Sequence, residues 1–193
     1  MKADEKRAER TRALTRRAAA YARHGAAAGE ALARHGLGFL ALPHSVVVSG
    51  FSAIRDEIDP APLLARLAEE GHRLALPVMQ GKGRPLQFRA WAPGDAVASA
   101  HWGIAEPLSD KPEVYPDVVL VPLLAFDAQG YRLGYGGGFY DRSLQSLRAK
   151  KPIIAVGIGY DELRIDAVPH LDYDERLDWV LTPSGPLRCA ASS

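Results

Sequence analysis

The sequence predicts an α/β domain on a mainly parallel sheet, in one unit over residues 1–193. Short apolar runs rich in Val, Ile and Leu, "SVVVSG" at 45–50, "DVVLVPLL" at 117–124 and "PIIAVGIGY" at 152–160, read as strands buried on both faces. Amphipathic helical stretches alternate with them, which is the pattern of parallel strands joined by crossover helices. With 47% hydrophobic and 24% charged residues in 193, the chain can bury one substantial core without staples.

Taken in order, residues 5–35 lack proline and are rich in Ala, Arg and Leu, so one or two helices open the chain, with Gly25 and Gly29 as candidate interruptions and Gly36 as the C-cap. The segment 1–36 is expected to pack on or near the site described below. After the strand at 45–50, "DPAPLLARLAEEG" reads as a helix with Asp59 as N-cap, Pro60 in the first turn and Gly71 at its end; Leu63, Leu64 and Leu67 share its apolar face. "RLALPV" (73–78) and "LQFRAW" (86–91) flank the turn signal "GKGRP" and predict a hairpin. A polar stretch punctuated by proline precedes the strand at 117–124. A helix over 139–151 follows, then the strand at 152–160 and a last strand at 177–182.

Several function classes are disfavoured by composition. The single cysteine, Cys189, allows no intramolecular disulfide and fits a reducing, cytoplasmic setting. The longest apolar run is too short to span a bilayer. Residues 1–24 carry a local charge of +5 and the remainder −4, so the basic character is confined to the N-terminus. Asp4, Glu5 and Glu9 argue against a transit peptide there, and the segment is read as part of the mature protein. Neither a membrane nor nucleic acid is an expected partner, since recognition motifs and interleaved aromatics are missing.

Three segments carry candidate chemistry. "RLGYGGGFYDRSL" (132–144) places Gly136, Gly137 and Gly138 ahead of a helix, where bare amides suit an anion; a tight structural turn is the competing reading. Asp141 beside such a loop would repel a phosphate unless a cation such as Mg²⁺ lay between. "HLDYDERLD" (170–178) supplies Asp172, Asp174 and Asp178, either as a solvated loop or, folded against the glycines, as a second metal carboxylate. "SGFSAIRDEID" (49–59) sets Arg55, Asp56 and Glu57 just past a strand, as surface charge or as a site where a carboxylate holds an amine-bearing ring with Phe51 stacking nearby. Lys6 and Arg10 lie one helical turn apart, as a solvated face or a phosphate clamp, and Trp102 is either core or a platform for a flat heterocycle.

Together "KRAER", "IRDEID", "GIAEP", "DVVLVPLLAFDAQGYRLGYGGGFYDRSL", "IIAVGIGY" and "AVPHLDYDERLDWVLT" resemble the 5-formyltetrahydrofolate cyclo-ligase family, also called 5,10-methenyltetrahydrofolate synthetase. The resemblance runs from about residue 45 to 182, with a shorter match at the N-terminus. It implies a three-layer fold and an enzyme that converts 5-formyltetrahydrofolate to 5,10-methenyltetrahydrofolate using ATP and Mg²⁺, with ADP and phosphate as products. It further implies nucleotide contacts at Lys6, Arg10, Arg132, Gly134, Tyr135, Gly136, Gly137, Gly138, Phe139 and Tyr140, and metal ligands at Asp141 and Asp174. Folate would meet Phe51, Glu57, Trp102 and the loop from Tyr135 to Phe139, with Tyr140 and Glu57 as catalytic candidates. The expected assembly is a monomer or weak homodimer. Two departures stand out: Tyr135 and Gly137 occupy a loop in which some relatives carry a basic residue, and Asp172 and Tyr173 replace a common Glu and His. A non-catalytic folate or nucleotide binder is the alternative, and a nucleic-acid binder using the basic helix is a weaker one.

Overall fold

The runs of Val, Leu and Ile that predict strands become the centre of a sheet because their side chains find apolar partners on both faces. A computed structural model describes residues 2–100 and 103–190. The chain opens with α1 (Lys2–His24) and α2 (Ala26–His35), followed by β1 (Val47–Ser49), α3 (Ala61–Glu69), β2 (Arg73–Val78) and β3 (Gln87–Trp91). A small antiparallel pair, β4 (Val97–Ser99) and β5 (Ala105–Pro107), precedes β6 (Val118–Pro122). Next come the short hairpin β7 (Ala125–Phe126) and β8 (Arg132–Leu133), α4 (Phe139–Arg148), β9 (Ile154–Ile158), β10 (Trp179–Thr182) and β11 (Gly185–Arg188).

The main sheet has seven strands in the order β11-β10-β9-β6-β1-β2-β3. The five inner strands are parallel, while β3 and β11 close the two edges antiparallel. Val118, Val119, Leu120 and Val121 of β6 are wholly buried, as a strand covered on both faces requires. From β1 the chain crosses through α3 to β2, toward one edge; from β6 it crosses through α4 to β9, toward the other. Right-handed crossovers running in opposite directions put α3 and α4 on opposite faces of the sheet. Helix α2 packs on α3, whose Leu63, Leu64 and Leu67 are buried, and on the other face α4 buries Leu144 and Leu147. Each such leucine contributes about 1.5–3 kcal/mol of burial.

Several details differ from the sequence reading. The strand at 177–182 is not the last, because β11 follows it. Its sequence "SGPLRC" contains Pro186, which an antiparallel edge strand tolerates because one side of its backbone needs no ladder partner. The glycine loop does not follow β6 directly; the β7–β8 hairpin intervenes, organised by Asp127, whose buried carboxylate accepts hydrogen bonds from the Gln129, Tyr131 and Val168 amides. Of the two candidate interruptions, only Gly25 breaks the opening helices, at φ 49°. Asp59 stands one residue outside the assigned cap, Pro60, yet its carboxylate accepts the Ala61 amide at 3.0 Å.

Gly29 remains helical and serves packing: a Cβ there would stand 2.6 Å from the Asp59 carbonyl oxygen. Alanine would gain about 1 kcal/mol of helix propensity, whereas overpacking against fixed backbone costs about 1–3 kcal/mol. Gly29→Ala is therefore expected to lower the melting temperature by a few degrees, measured by thermal denaturation; a rise would mean that α2 is free to move off the segment before α3.

Candidate active site

Strand β1 lies beside β6 at the point where the strand order reverses, and in open α/β sheets the crevice beyond the carboxyl ends of such a pair is where ligands collect. The loop after β1 turns tightly there. The Glu57 amide bonds the Ile54 carbonyl at 3.1 Å, and the Ile54 amide returns a bond to Glu57 Oε2 at 2.9 Å. This double link folds the carboxylate into its own turn, leaving its side chain 5% exposed.

Arg17, from α1, enters the same crevice with no exposed surface. Its Nε and Nη2 donate to Asp56 Oδ1 at 2.9 and 2.5 Å, Nη2 also to the Tyr135 hydroxyl at 2.6 Å, and Nη1 stands 3.5 Å from Glu57 Oε1. The guanidinium also lies 5.3 Å from the Tyr135 ring centroid. Burial opposes the charge on Arg17, but Tyr135 and Asp56 more than offset it. Burial pushes the Glu57 carboxyl above the usual range against the pull of the Ile54 amide and Arg17. The Tyr140 hydroxyl is raised by burial and by the nearby Glu57 charge, so at neutral pH it is a hydrogen-bonding group and not a phenolate.

The loop from Gly134 to Gly138 joins β8 to α4. Gly136 has φ 101° and Gly138 φ 64°, both left-handed, and Gly138 is the N-cap of α4. The helix start turns its first amides toward the loop, which suits an anion. Arg10 Nε donates to the Gly134 carbonyl at 2.9 Å, and a Cβ at Gly136 would stand 3.2 Å from the Arg10 guanidinium. Glycine here gives both the turn and the close approach of α1.

The acidic 170–178 segment folds against this loop. Asp141 Oδ1 accepts the Glu175 amide at 3.1 Å and Arg132 Nη2 at 2.8 Å, and Arg132 also bonds the Glu175 carbonyl. Asp174 closes a turn by accepting the Leu171 amide at 2.7 Å and is paired with Lys6. Each aspartate thus already faces one cation. Among the described residues no cluster of three or more acidic, His or Cys side chains could hold a metal by itself. Two carboxylates completed by phosphate oxygens and water would suit Mg²⁺, which keeps several waters and takes few protein ligands.

Lys6, Arg10, Glu57, Arg132, the loop from Gly134 to Tyr140, Asp141 and Asp174 therefore surround one end of the sheet. Phe51 is buried in the core, packed in the same neighbourhood as Arg17 and Glu57. Trp102 lies outside the described residues, and Tyr173 is 68% exposed beside Asp174. Sequence reasoning missed Arg17 and left Asp56 open between surface charge and a ligand site; the structure makes it the hydrogen-bonding partner of Arg17. The available signal was the spacing of Lys6, Arg10, Ala13, Arg17 and Ala20 in steps of four and three, a stripe that turns bases and small residues inward together.

The model of the 5-formyltetrahydrofolate cyclo-ligase family matches residues 2–183. The chain is 40% identical over 144 residues to the 5-formyltetrahydrofolate cyclo-ligase of Mycolicibacterium smegmatis, covering 70% of this chain and 73% of the relative. It is 36% identical over 148 residues to that of Escherichia coli, covering 74% and 80%. Its fold matches the NMR structure of Aquifex aeolicus 5,10-methenyltetrahydrofolate synthetase with a TM-score of 0.72 at 25% identity, covering 97% of this chain and 94% of the other. With the match running through α1, the glycine loop and both aspartates, the chain belongs to the 5-formyltetrahydrofolate cyclo-ligase family.

Proposed function

We propose that the protein converts 5-formyltetrahydrofolate to 5,10-methenyltetrahydrofolate in an ATP- and Mg²⁺-dependent reaction that releases ADP and phosphate. The observation that carries this reading is the meeting of a buried carboxylate, Glu57, with a glycine turn at a helix N-terminus and two cation-paired aspartates. The names of the relatives supply the substrate.

A formamide is a poor electrophile because its nitrogen donates into the carbonyl, so the oxygen must first become a leaving group. In the proposed sequence the formyl oxygen attacks the γ-phosphorus as the bond to ADP breaks. N10 of the folate then attacks the formyl carbon, the carbon–oxygen bond breaks with phosphate leaving, and N10 gives up its proton to that phosphate. Catalysis of this kind is mostly alignment and charge neutralisation.

The residues divide accordingly. Glu57, as a buried acceptor, suits the paired N–H groups of the aminopyrimidinone edge. Amides at the start of α4 suit phosphate oxygens, with Lys6, Arg10 and Arg132 around them. Asp141 and Asp174 would hold Mg²⁺, which supplies neutralising charge to the phosphates when bound. Tyr140, kept protonated, can donate a hydrogen bond toward the reacting oxygens. Lys6, Arg10 and Arg17 are engaged within the protein, which leaves the basic face of α1 poorer for nucleic acid than its composition suggests.

Near-ultraviolet absorbance of the methenyl product is expected to grow only when protein, 5-formyltetrahydrofolate, ATP and Mg²⁺ are all present. Binding of both substrates without that growth would favour a non-catalytic relative. Asp141→Asn is expected to cut turnover by about a hundredfold or more with little change in melting temperature; full activity would remove Asp141 from the metal site. Lys6→Ala should raise the KM for ATP by about tenfold with a smaller change in kcat, and an unchanged KM would make the pair with Asp174 purely structural.

A further inference from the structure

Arg17 and its surroundings are more than a stability device. A buried ion pair rarely outweighs its desolvation cost by a wide margin, and apolar residues of similar volume often serve packing as well. Here the chain nevertheless buries a guanidinium completely, among Phe51, Pro122, Leu123, Ile158 and Tyr160 at the carboxyl end of the sheet. Two acids meet this cation, Asp56 through two hydrogen bonds and Glu57 at 3.5 Å, the latter with no hydrogen bond to Nη1. Asp56 thus fixes the guanidinium, while Glu57 feels its charge without spending its lone pairs on it. The third contact, to the Tyr135 hydroxyl, reaches the glycine loop.

That division of labour leaves Glu57, whose Oε2 holds the Ile54 amide, with lone pairs for a ligand and the Arg17 charge beside it. We propose that Arg17 is a positioning residue of the folate site, supplying the buried counter-charge that lets Glu57 bind the aminopyrimidinone edge as a carboxylate and holding Tyr135 beside it. The inference rests on the folate reading given above. The charged and titratable groups around Glu57 are Arg17, Asp56, Tyr135 and Tyr140. Without Arg17, the burial of Glu57 and the neighbouring Asp56 charge both favour its neutral form, and a neutral carboxyl offers one acceptor fewer to the ligand.

The test is calorimetric binding of 5-formyltetrahydrofolate to the full chain and its variants across about pH 6 to 9, a window in which an uncompensated buried carboxyl titrates. The native protein is expected to bind with a nearly flat profile. Arg17→Met should weaken binding by about tenfold or more at neutral pH and recover affinity as pH rises, since ionisation of Glu57 then restores the acceptor. Arg17→Lys, which keeps the charge, should retain the flat profile with a smaller loss. An equal loss for Arg17→Met at every pH would overturn the proposal in favour of packing alone.

Carbon-13 NMR of the native protein labelled at glutamate carboxyls, with the Glu57 signal assigned by Glu57→Gln, gives a reading that needs no Arg17 variant to fold. A Glu57 carboxylate ionised at pH 7 is expected, and a protonated one would overturn the counter-charge role. If the native protein binds no 5-formyltetrahydrofolate at all, the folate reading fails instead, and that result is distinct from a native protein that binds while the variant keeps a flat profile.

Discussion

Two right-handed crossovers that leave β1 and β6 in opposite directions force the sheet to open between the strands' carboxyl ends, and nearly every feature of the site answers that opening. Because α3 and α4 must lie on opposite faces, neither can cover the crevice. The loop after β1 and the glycine turn before α4 descend on it from either side, and α1 lies across the top. A crevice lined by strand ends exposes backbone polar groups and cannot be sealed by leucines alone. The inward stripe of α1 accordingly alternates small residues, Ala13 and Ala20, with bases, Lys6, Arg10 and Arg17.

Electrostatics then set what the site can accept. The aspartates nearest the glycine turn are each matched by a base, Asp141 by Arg132 and Asp174 by Lys6. These contacts have two consequences. They avoid the cost of uncompensated carboxylates in a partly buried place, and they hold two bases beside the glycine turn. Further along α1, buried Arg17 is hydrogen-bonded to Asp56 and stands 3.5 Å from Glu57. One helix thus carries the ion pair to Asp174 near its start and a buried set fifteen or so ångströms along, the rise of about ten residues at 1.5 Å each.

The parts of the protein that local chemistry governs were legible in the sequence. Valine-rich runs give β1, β6 and β9; the Asp-Pro start and the leucine spacing give α3; "GKGRP" gives the β2–β3 hairpin; and the glycines ahead of "FYD" mark the start of α4. Elements held by tertiary context escaped. Strand β11 is an edge strand with a proline, and its only ladder is the one that β10 provides. The β7–β8 hairpin depends on Asp127 reaching the Val168 amide, a contact forty-one residues away.

The same division holds for the site. By itself the sequence determined which residues could do chemistry, because glycine's missing Cβ, the charge of Asp141 and Asp174 and the family motif are properties of residues and their near neighbours. Only the tertiary structure decided that Arg17 belongs with Glu57, which is forty residues away in the chain, and that Lys6 faces Asp174 across the sheet end. The physical reason is that a charge's role depends on its burial and on what faces it. Both are fixed by how α1 lies over the strand ends, and neither is written in the residues on either side.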